Sequence, residues 1–317
     1  MEGKSSYLVL GRFDATVIPG VRPTIVYIDL KAYTPEQFGR EILRKMGRFE
    51  AEDGTRDSWE SYGWLFNVDG YRVPYVPLLN DFGTEYMELT LKDLDVIVDK
   101  TPYTLPSAFQ GKAVRTEKFN NPSCRLDSYS VGDSNPLTVR FQETSYRDYL
   151  LSGERLDGPL PDDSERTYRH AFGTISRKRS GDLRPFPLTN ICGVGMFILT
   201  SDRYIVASTH SQDSHVYPGR MSFSSSGTMA WGAFPDPFAE IVRKAAIEVN
   251  HLVDIRKLHL VAFGADARKL YFQFSFLEHT RASLNEVTQR CGSKQILFPI
   301  RFALEHVRNA LLEHCWE

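Results

Sequence analysis

The chain has 317 residues, which is long enough for two domains of ordinary size. Of these residues, 42% are hydrophobic and 25% are charged, which is typical of a globular protein. No stretch comes near the roughly 20 apolar residues that a membrane-spanning helix needs, and the first residues lead into a strand-like run without a signal peptide. We therefore expect a cytoplasmic protein with no membrane partner. Because the net charge is only −2, the composition excludes a general attraction to nucleic acid, and no nucleic-acid partner is expected.

The first region, residues 1–100, is rich in strand signals. Short runs of β-branched and aromatic residues mark its predicted strands, at residues 7–10, 24–28, 64–66, 71–74 and 86–91. A helix is predicted to begin at Thr34, which can cap it, with Pro35 in the first turn. These elements predict a small α+β unit without a catalytic signature.

The second region, residues 101–190, combines strands with polar sequence. Strands are predicted at 123–131 and 137–141, followed by a short tyrosine-rich helix at 145–150. From 151 to 187 the chain is polar and rich in glycine, proline and charge, which predicts a long loop.

The third region, residues 191–317, shows the clearest pattern, in the order strand, strand, loop, helix, strand, strand, helix. Its elements are predicted at 195–199, 204–208, 218–227, from Asp236 onward, 258–263, 270–276 and 302–314. This order predicts an α/β (α+β) fold in which a mixed sheet is covered by helices on both faces.

The first helix of this region carries a polar ridge. Asp236, Glu240, Lys244 and Glu248 follow one another at four-residue steps, so all four lie along one side of the helix. A solvated ladder of ion pairs is one interpretation of this ridge. Ile247 points away from the apolar stripe, which indicates that a loop, a domain or a ligand covers that side.

Residues 243–250 of this helix resemble the Nudix box, whose core reads Arg-Glu-U-x-Glu-Glu-x-Gly, with U an aliphatic residue. Arg243, Ala245 and Glu248 match it, and Asn250 stands where the box has glycine. Asparagine is a reasonable substitute there because it tolerates the left-handed conformation that ends a helix. The resemblance implies a Nudix-type α/β/α sandwich, preceded by the small α+β N-terminal region.

A second motif is similar to the branch of that family that contains the mammalian UDP-glucose and UDP-galactose pyrophosphatase. Residues 144–148, Thr-Ser-Tyr-Arg-Asp, repeat a motif of that branch, and residues 248–250, Glu-Val-Asn, match its box end. The resemblance implies that Ser145, Tyr146 and Arg147 lie where the upstream region meets the Nudix pocket. Arg147 would hold a phosphate or carboxylate there, and Tyr146 would stack on a base. The alternative is an ordinary helix start with Ser145 as its cap.

The chain departs from the Nudix pattern at the metal site. Nudix pyrophosphatases hold Mg²⁺ with clustered carboxylates on this helix, and the metal neutralises the diphosphate and positions the attacking water. Lys244 and Ile247 occupy two of the three box-glutamate positions, so Glu248 remains, with Glu240 about two turns earlier as a second metal ligand. A lysine on this helix opposes a divalent cation because like charges repel.

Three functions are compatible with these residues. We favour a degenerate Nudix-fold protein that binds a nucleotide or nucleoside-diphosphate derivative, with Lys244 in place of Mg²⁺ and standard hydrolysis impaired or altered. Its ligand-contacting loop residues would be Ser225, Ser226 and Gly227. The second function is an active Mg²⁺-dependent pyrophosphatase of UDP-sugar-like substrates, with Glu248 and Glu240 as metal ligands or base. The third is a protein-interaction module that uses the aromatic residues of region 1–100.

Overall fold

The computed structural model describes residues 11–12, 28–29, 66–68, 71–73, 75–79, 87–109, 120–132, 137–160, 163–169, 188–210, 217–266, 268–292, 297–303 and 307. The chain divides into two compact units, Met1–Leu65 and Phe66–Glu317. In the first unit, β1 (Gly11–Arg12) pairs in parallel with β2 (Ile28–Asp29). The strand predicted at 7–10, most of that at 24–28 and the helix predicted from Thr34 lie outside the described residues.

The first half of the second unit is built mainly of strands. They are β3 (Phe66–Val68), β4 (Tyr71–Val73), β5 (Tyr75–Leu79), β6 (Leu94–Val98), β7 (Pro122–Ser130), β8 (Leu137–Ser145), β9 (Pro159–Leu160) and β10 (Asp163–Thr167). Helix α1 (Tyr146–Leu151) follows β8 directly. Strands β3 and β4, which overlap the strands predicted at 64–66 and 71–74, pair in antiparallel fashion.

The second half of this unit combines strands with two longer helices. Its strands are β11 (Cys192–Leu199), β12 (Tyr204–Thr209), β13 (Met221–Ser222), β14 (Ser225–Thr228), β15 (Leu258–Asp266), β16 (Tyr271–His279) and β17 (Leu297–Arg301). Its helices are α2 (Pro237–Glu248) and α3 (Leu284–Cys291). Within the described residues, no helix is long and apolar enough to cross a membrane.

A mixed sheet organises these elements. Its strand order is β13-β12-β11-β16-β15-β5, and β14 and β17 pair with β11 and β12. The central strands β11 and β16 run parallel, from the pair Cys192 and Phe272 to the pair Leu199 and His279, and the other pairings are antiparallel. The predicted mixed α+β fold is therefore confirmed. Strand β5 joins this sheet although its sequence falls in the region predicted as the N-terminal unit.

One face of the central strand pair is packed with phenylalanine rings, and we call it the helix face. Phe276 of β16 meets Phe238 of α2 edge to face, with 4.9 Å between ring centroids. Phe274 stacks on Phe263 of β15 at 4.5 Å and also contacts Phe141 of β8. Since these rings are fully buried, their removal from water is a main source of stability for this face.

A second, three-stranded sheet of order β6-β8-β7 adjoins the central strands. Single bridges join Ser123 to Ala230 and Arg125 to Ile191. The buried Arg125 side chain donates through Nε to the Leu188 carbonyl at 2.8 Å and through Nη1 to Asp127 at 2.8 Å. A buried guanidinium with such partners fixes β7 against the segment that leads into β11.

Some predicted elements are wrong. The strand predicted at 86–91 is reduced to a single bridge between Leu89 and Leu260, because Thr90 and Asp93 form a capping box around a short 3-10 helix. The predicted loop at 151–187 contains the hairpin β9–β10, and the predicted loop at 218–227 contains β13 and β14. Helix α3 was not predicted. Most of the helix predicted at 302–314 lies outside the described residues.

Candidate functional site

Helix α2 begins and ends as its sequence dictates. The Asp236 carboxylate caps it by accepting from the backbone N–H of Phe238 at 2.7 Å and of Ala239 at 3.2 Å. Asn250, just beyond the helix, has a φ of 50°, a left-handed conformation that asparagine tolerates. Because Phe238 and Ala245 are buried against the sheet, the polar ridge lies on a different side of the helix.

Glu248, at the end of the ridge, binds strand β14. Its Oε2 accepts from the Ser225 hydroxyl at 2.6 Å and from the Ser226 backbone N–H at 3.1 Å. Hydrogen bonds to a carboxylate are stronger than those between neutral groups. Glu248 therefore fastens the edge strand to the helix, and the structure brings it together with two of the predicted loop residues.

Lys244, one turn earlier, lies against Gly227. A Cβ placed on Gly227 would be 2.6 Å from the Lys244 Nζ and 3.2 Å from its Cε, so the end of the lysine side chain would have to shift to accommodate one. The φ of Gly227 is 155°, a conformation that L side chains rarely adopt. The Lys244 side chain is only 14% exposed, and its ammonium lies 3.9 Å from Glu240 Oε1. Glycine is thus what allows the lysine to lie along the strand.

Glu240 is occupied by a neighbouring arginine. Its two oxygens accept from Arg243, from Nη2 at 2.7 Å and from Nε at 2.9 Å, and Oε1 also accepts from the Ala230 backbone N–H at 3.4 Å. The hydrogen bonds to Glu240 raise the pKa of the Arg243 guanidinium above its ordinary value. The ion pair expected between Glu240 and Lys244 is therefore secondary to one with Arg243, which the three-residue spacing also permits.

These side chains do not fit a Mg²⁺ site. The charges of the two carboxylates, Glu240 and Glu248, are balanced by those of Arg243 and Lys244, so the cluster offers a divalent cation no net negative charge. Three of the four Glu240 and Glu248 oxygens already accept hydrogen bonds from the protein. Within the described residues, no group of three or more His, Cys, Asp or Glu side chains is placed to hold a metal ion.

The upstream motif lies beside the start of β11. Ser145 caps α1, where its hydroxyl accepts from the Asp148 backbone N–H at 3.1 Å, and Arg147 is exposed. Tyr146 packs on the buried Tyr149 with 5.5 Å between ring centroids, and burial raises the pKa of Tyr146 to about 12. Among the described residues, no hydrogen bond or ion pair joins Ser145 or Arg147 to α2.

Ile247 interrupts the polar side of α2. Its side chain is 57% exposed, so the structure leaves more than half of it open to solvent. On the helix surface it neighbours Lys244, which lies three residues earlier. An exposed apolar side chain therefore lies beside the lysine. That a ligand covers Ile247 stays a prediction.

Comparison with known proteins gives weak likenesses only. No protein-family model matches the chain, and no curated protein matches it either. A Deinococcus radiodurans protein of known structure, DR0079, is 16% identical over 39% of this chain and 73% of its own, with a TM-score of 0.31. A MutT/nudix family protein from Enterococcus faecalis is 10% identical over 35% of this chain and 43% of its own, with a TM-score of 0.28.

Proposed function

We propose that the protein is a degenerate Nudix-type protein that binds the phosphate groups of a nucleotide or nucleoside-diphosphate derivative at Lys244. The observation that carries the proposal is the position of this lysine. It replaces a box glutamate, is 14% exposed, and lies along Gly227 with its nearest carboxylate 3.9 Å away. An ammonium in this position supplies a fixed positive charge, which is the charge that a diphosphate needs from a metal.

The balance of charge around Lys244 favours anion binding without a metal. Glu240 is paired with Arg243 at 2.7 Å, which leaves Lys244 with the longer ion pair. Since Coulomb energy falls with distance, the shorter pair takes more of the Glu240 charge. The Lys244 ammonium therefore still attracts a phosphate that approaches from solvent on the side of α2 where Ile247 is exposed.

In this proposal Glu248 is a positioning residue and not a metal ligand. Its bonds to Ser225 and Ser226 hold β14 against α2, and this contact places Gly227 under Lys244. The usual Mg²⁺-dependent hydrolysis is impaired because its carboxylate cluster is incomplete. Ser225, Ser226 and Gly227 shape the floor of the site, while Ser145, Tyr146 and Arg147 form its proposed upstream border.

The binding step is tested by calorimetry with inorganic pyrophosphate and uridine diphosphate in the presence of a metal chelator. We expect both ligands to bind, and Lys244→Met to weaken both about tenfold or more, as loss of a charged partner does. Lys257→Met is the matched control, because Lys257 also lies 3.9 Å from a carboxylate, that of Asp254, but is 67% exposed. Equal affinity in wild type and Lys244→Met would contradict the proposal.

The loss of hydrolysis is tested separately, with UDP-sugars and excess Mg²⁺ or Mn²⁺. We expect no phosphate-containing product above background. Turnover that Glu248→Gln abolishes would establish the active pyrophosphatase instead. If neither binding nor turnover occurs, the interaction module of region 1–100 becomes the function to test, by capture of partners with residues 1–65 retained or removed.

A further inference from the structure

The polar ridge of α2 runs alongside the edge strand β14 in the opposite direction. Glu248, at the end of the helix, contacts the start of the strand at Ser225. Glu240, two turns earlier, contacts Ala230, just past the end of the strand. The spacings of the two elements agree, because four residues of a helix rise about 6 Å and two residues of a strand about 6.6 Å. Each ridge residue therefore meets every second residue of the strand.

Every second backbone N–H of residues 225–230 points away from β11. The Met229 N–H donates to the Cys192 carbonyl of β11 at 2.9 Å. The N–H groups of successive strand residues point to opposite sides of the strand. Those of Ser226, Thr228 and Ala230 therefore point to the outer edge, where α2 lies.

Two of these three N–H groups bond to carboxylates of the ridge. Ser226 donates to Glu248 Oε2 at 3.1 Å, and Ala230 donates to Glu240 Oε1 at 3.4 Å. Thr228 lies midway between them, and among the described residues its backbone N–H has no acceptor. A regular series of three outward donors is thus matched by two carboxylates.

Lys244 occupies the ridge position in register with Thr228. It lies midway between the two glutamates along the helix, and its Nζ lies beside Gly227, the residue before Thr228. A glutamate in this position would accept from the Thr228 N–H, as Glu248 accepts from Ser226. A lysine does not, because an ammonium carries donors and no acceptor. Two hydrogen-bond donors, one of them charged, therefore face the same stretch of the outer edge.

We propose that an anionic phosphate oxygen binds between the Lys244 ammonium and the Thr228 backbone N–H. The phosphate takes the place that the register of helix and strand gives to a carboxylate. An ammonium and an outward backbone N–H are both groups that proteins use to hold phosphate. This proposal rests on the phosphate binding proposed at Lys244 and deepens it, because it names the second donor and the position of one bound oxygen.

The surroundings leave room for such an oxygen. Side chains alternate along a strand, so that of Thr228 points away from Lys244, and its hydroxyl lies 3.4 Å from the Tyr271 hydroxyl. Gly227 has no side chain to fill the space beside the lysine. The Lys244 side chain is 14% exposed, so the entrance is narrow and admits a phosphate group while the rest of the ligand stays outside.

The test follows the Thr228 amide by NMR in the full chain labelled with ¹⁵N, during titration with inorganic pyrophosphate and a metal chelator. We expect its proton resonance to move downfield and to saturate, because a hydrogen bond to an anion deshields the proton. In Lys244→Met the same shift needs about tenfold or more ligand, as loss of a charged partner implies. Lys257→Met, at an exposed lysine, is the control and keeps the wild-type titration.

A second measurement tests the register without any ligand. Lys244→Gln puts a side-chain carbonyl oxygen, at the length of a glutamate, within reach of the Thr228 N–H. We expect hydrogen exchange of this amide to slow about fivefold or more, as a new hydrogen bond implies. Lys257→Gln is the matched control and leaves the rate unchanged. An unchanged Thr228 rate in Lys244→Gln overturns the proposal, because the ridge and the strand are then out of register.

The outcomes separate this proposal from phosphate binding at Lys244 itself. If calorimetry shows that pyrophosphate binds and that Lys244→Met weakens it, while the Thr228 resonance stays in place, the lysine site stands and the second donor is refuted. If pyrophosphate does not bind to the wild-type chain, both proposals fail. Equal titration of the Thr228 resonance in wild type and Lys244→Met refutes the pairing of the two donors.

Discussion

The two faces of the β11–β16 strand pair are formed by alternate residues of the same two strands. On the helix face, Phe274 and Phe276 are fully buried against aromatic neighbours. On the opposite face, which we call the open face, Gln273 and Ser275 are half-buried and pair with Gly193 and Gly195 of β11. Alternate residues of β16 therefore differ in burial at residues 273–276, while Tyr271 and Leu277 at either end of the open face pack against apolar clusters.

This difference separates large from small contributions to stability at the level of single residues. Truncation of Phe276 on the helix face is expected to lower the free energy of unfolding strongly, whereas truncation of its half-buried neighbour Ser275 changes it little. The same division holds on β14, where Ser225 points to Glu248 and Ser226 lies on the open face. Neighbouring pairs of residues thus provide matched experiments.

The largest effect is expected for Phe276→Ala. The fully buried ring meets Phe238, and its loss leaves a cavity, so we expect a loss of about 3–5 kcal/mol in the free energy of unfolding. Urea denaturation measures it. The control is the adjacent Ser275→Ala, expected within about 0.5 kcal/mol of wild type. Equal losses in the two variants would mean that the open face is packed as firmly as the helix face.

A smaller loss is expected for Ser225→Ala. It removes the hydrogen bond of 2.6 Å to the Glu248 carboxylate, and hydrogen bonds to charged groups contribute about 1.5–3 kcal/mol. Ser226→Ala is the control, because that substitution keeps the backbone N–H that Glu248 accepts. Urea denaturation of both variants measures the two losses. A larger loss of stability in Ser226→Ala than in Ser225→Ala would contradict this prediction.

The next effect concerns Gly193, a glycine of β11. Gly193→Ala places a Cβ against Tyr271, and accommodation of such an overlap costs about 1–3 kcal/mol. Gly232→Ala is the control, because a Cβ there meets nothing within 4 Å. Thermal melting of both variants decides whether Tyr271 is held in place. An unchanged melting temperature in Gly193→Ala would show that the Tyr271 ring moves aside without cost.

Local signals in the sequence, such as capping residues and apolar runs, predict several of the helices and strands. Asp236 and Pro237 mark the start of α2, and Ser145 marks that of α1. The apolar runs at 195–199 and 270–276 locate β11 and β16, although β11 begins three residues earlier than predicted and β16 ends three residues later. Helix α3 carries a comparable signal, a capping box of Ser283 and Glu286, although it is not among the predicted elements.

Elements that depend on distant partners were not predictable. Ser225–Thr228 has the composition of a loop and becomes a strand because Gly193–Met196 pairs with it and α2 packs on it. Strand β5 joins β15 across most of the chain. In the candidate site, the four-residue spacing of the polar residues predicts the ridge of α2. The contact of Lys244 with Gly227 and the pairing of Glu240 with Arg243 depend on how the side chains pack, which the spacing does not predict.

The parallel pairing of β11 with β16 also has a consequence for folding during synthesis. β11 leaves the ribosome before β14, α2, β15 and β16, so its parallel neighbour does not yet exist when it emerges. Closure of so long a loop is entropically costly and slow. A nascent chain that ends before Phe272 can already pair β11 with β12 and β14, but Val194 and Met196 still lack the neighbouring Phe274 and Phe276 of β16. Such incompletely buried apolar side chains favour aggregation until β16 is synthesised.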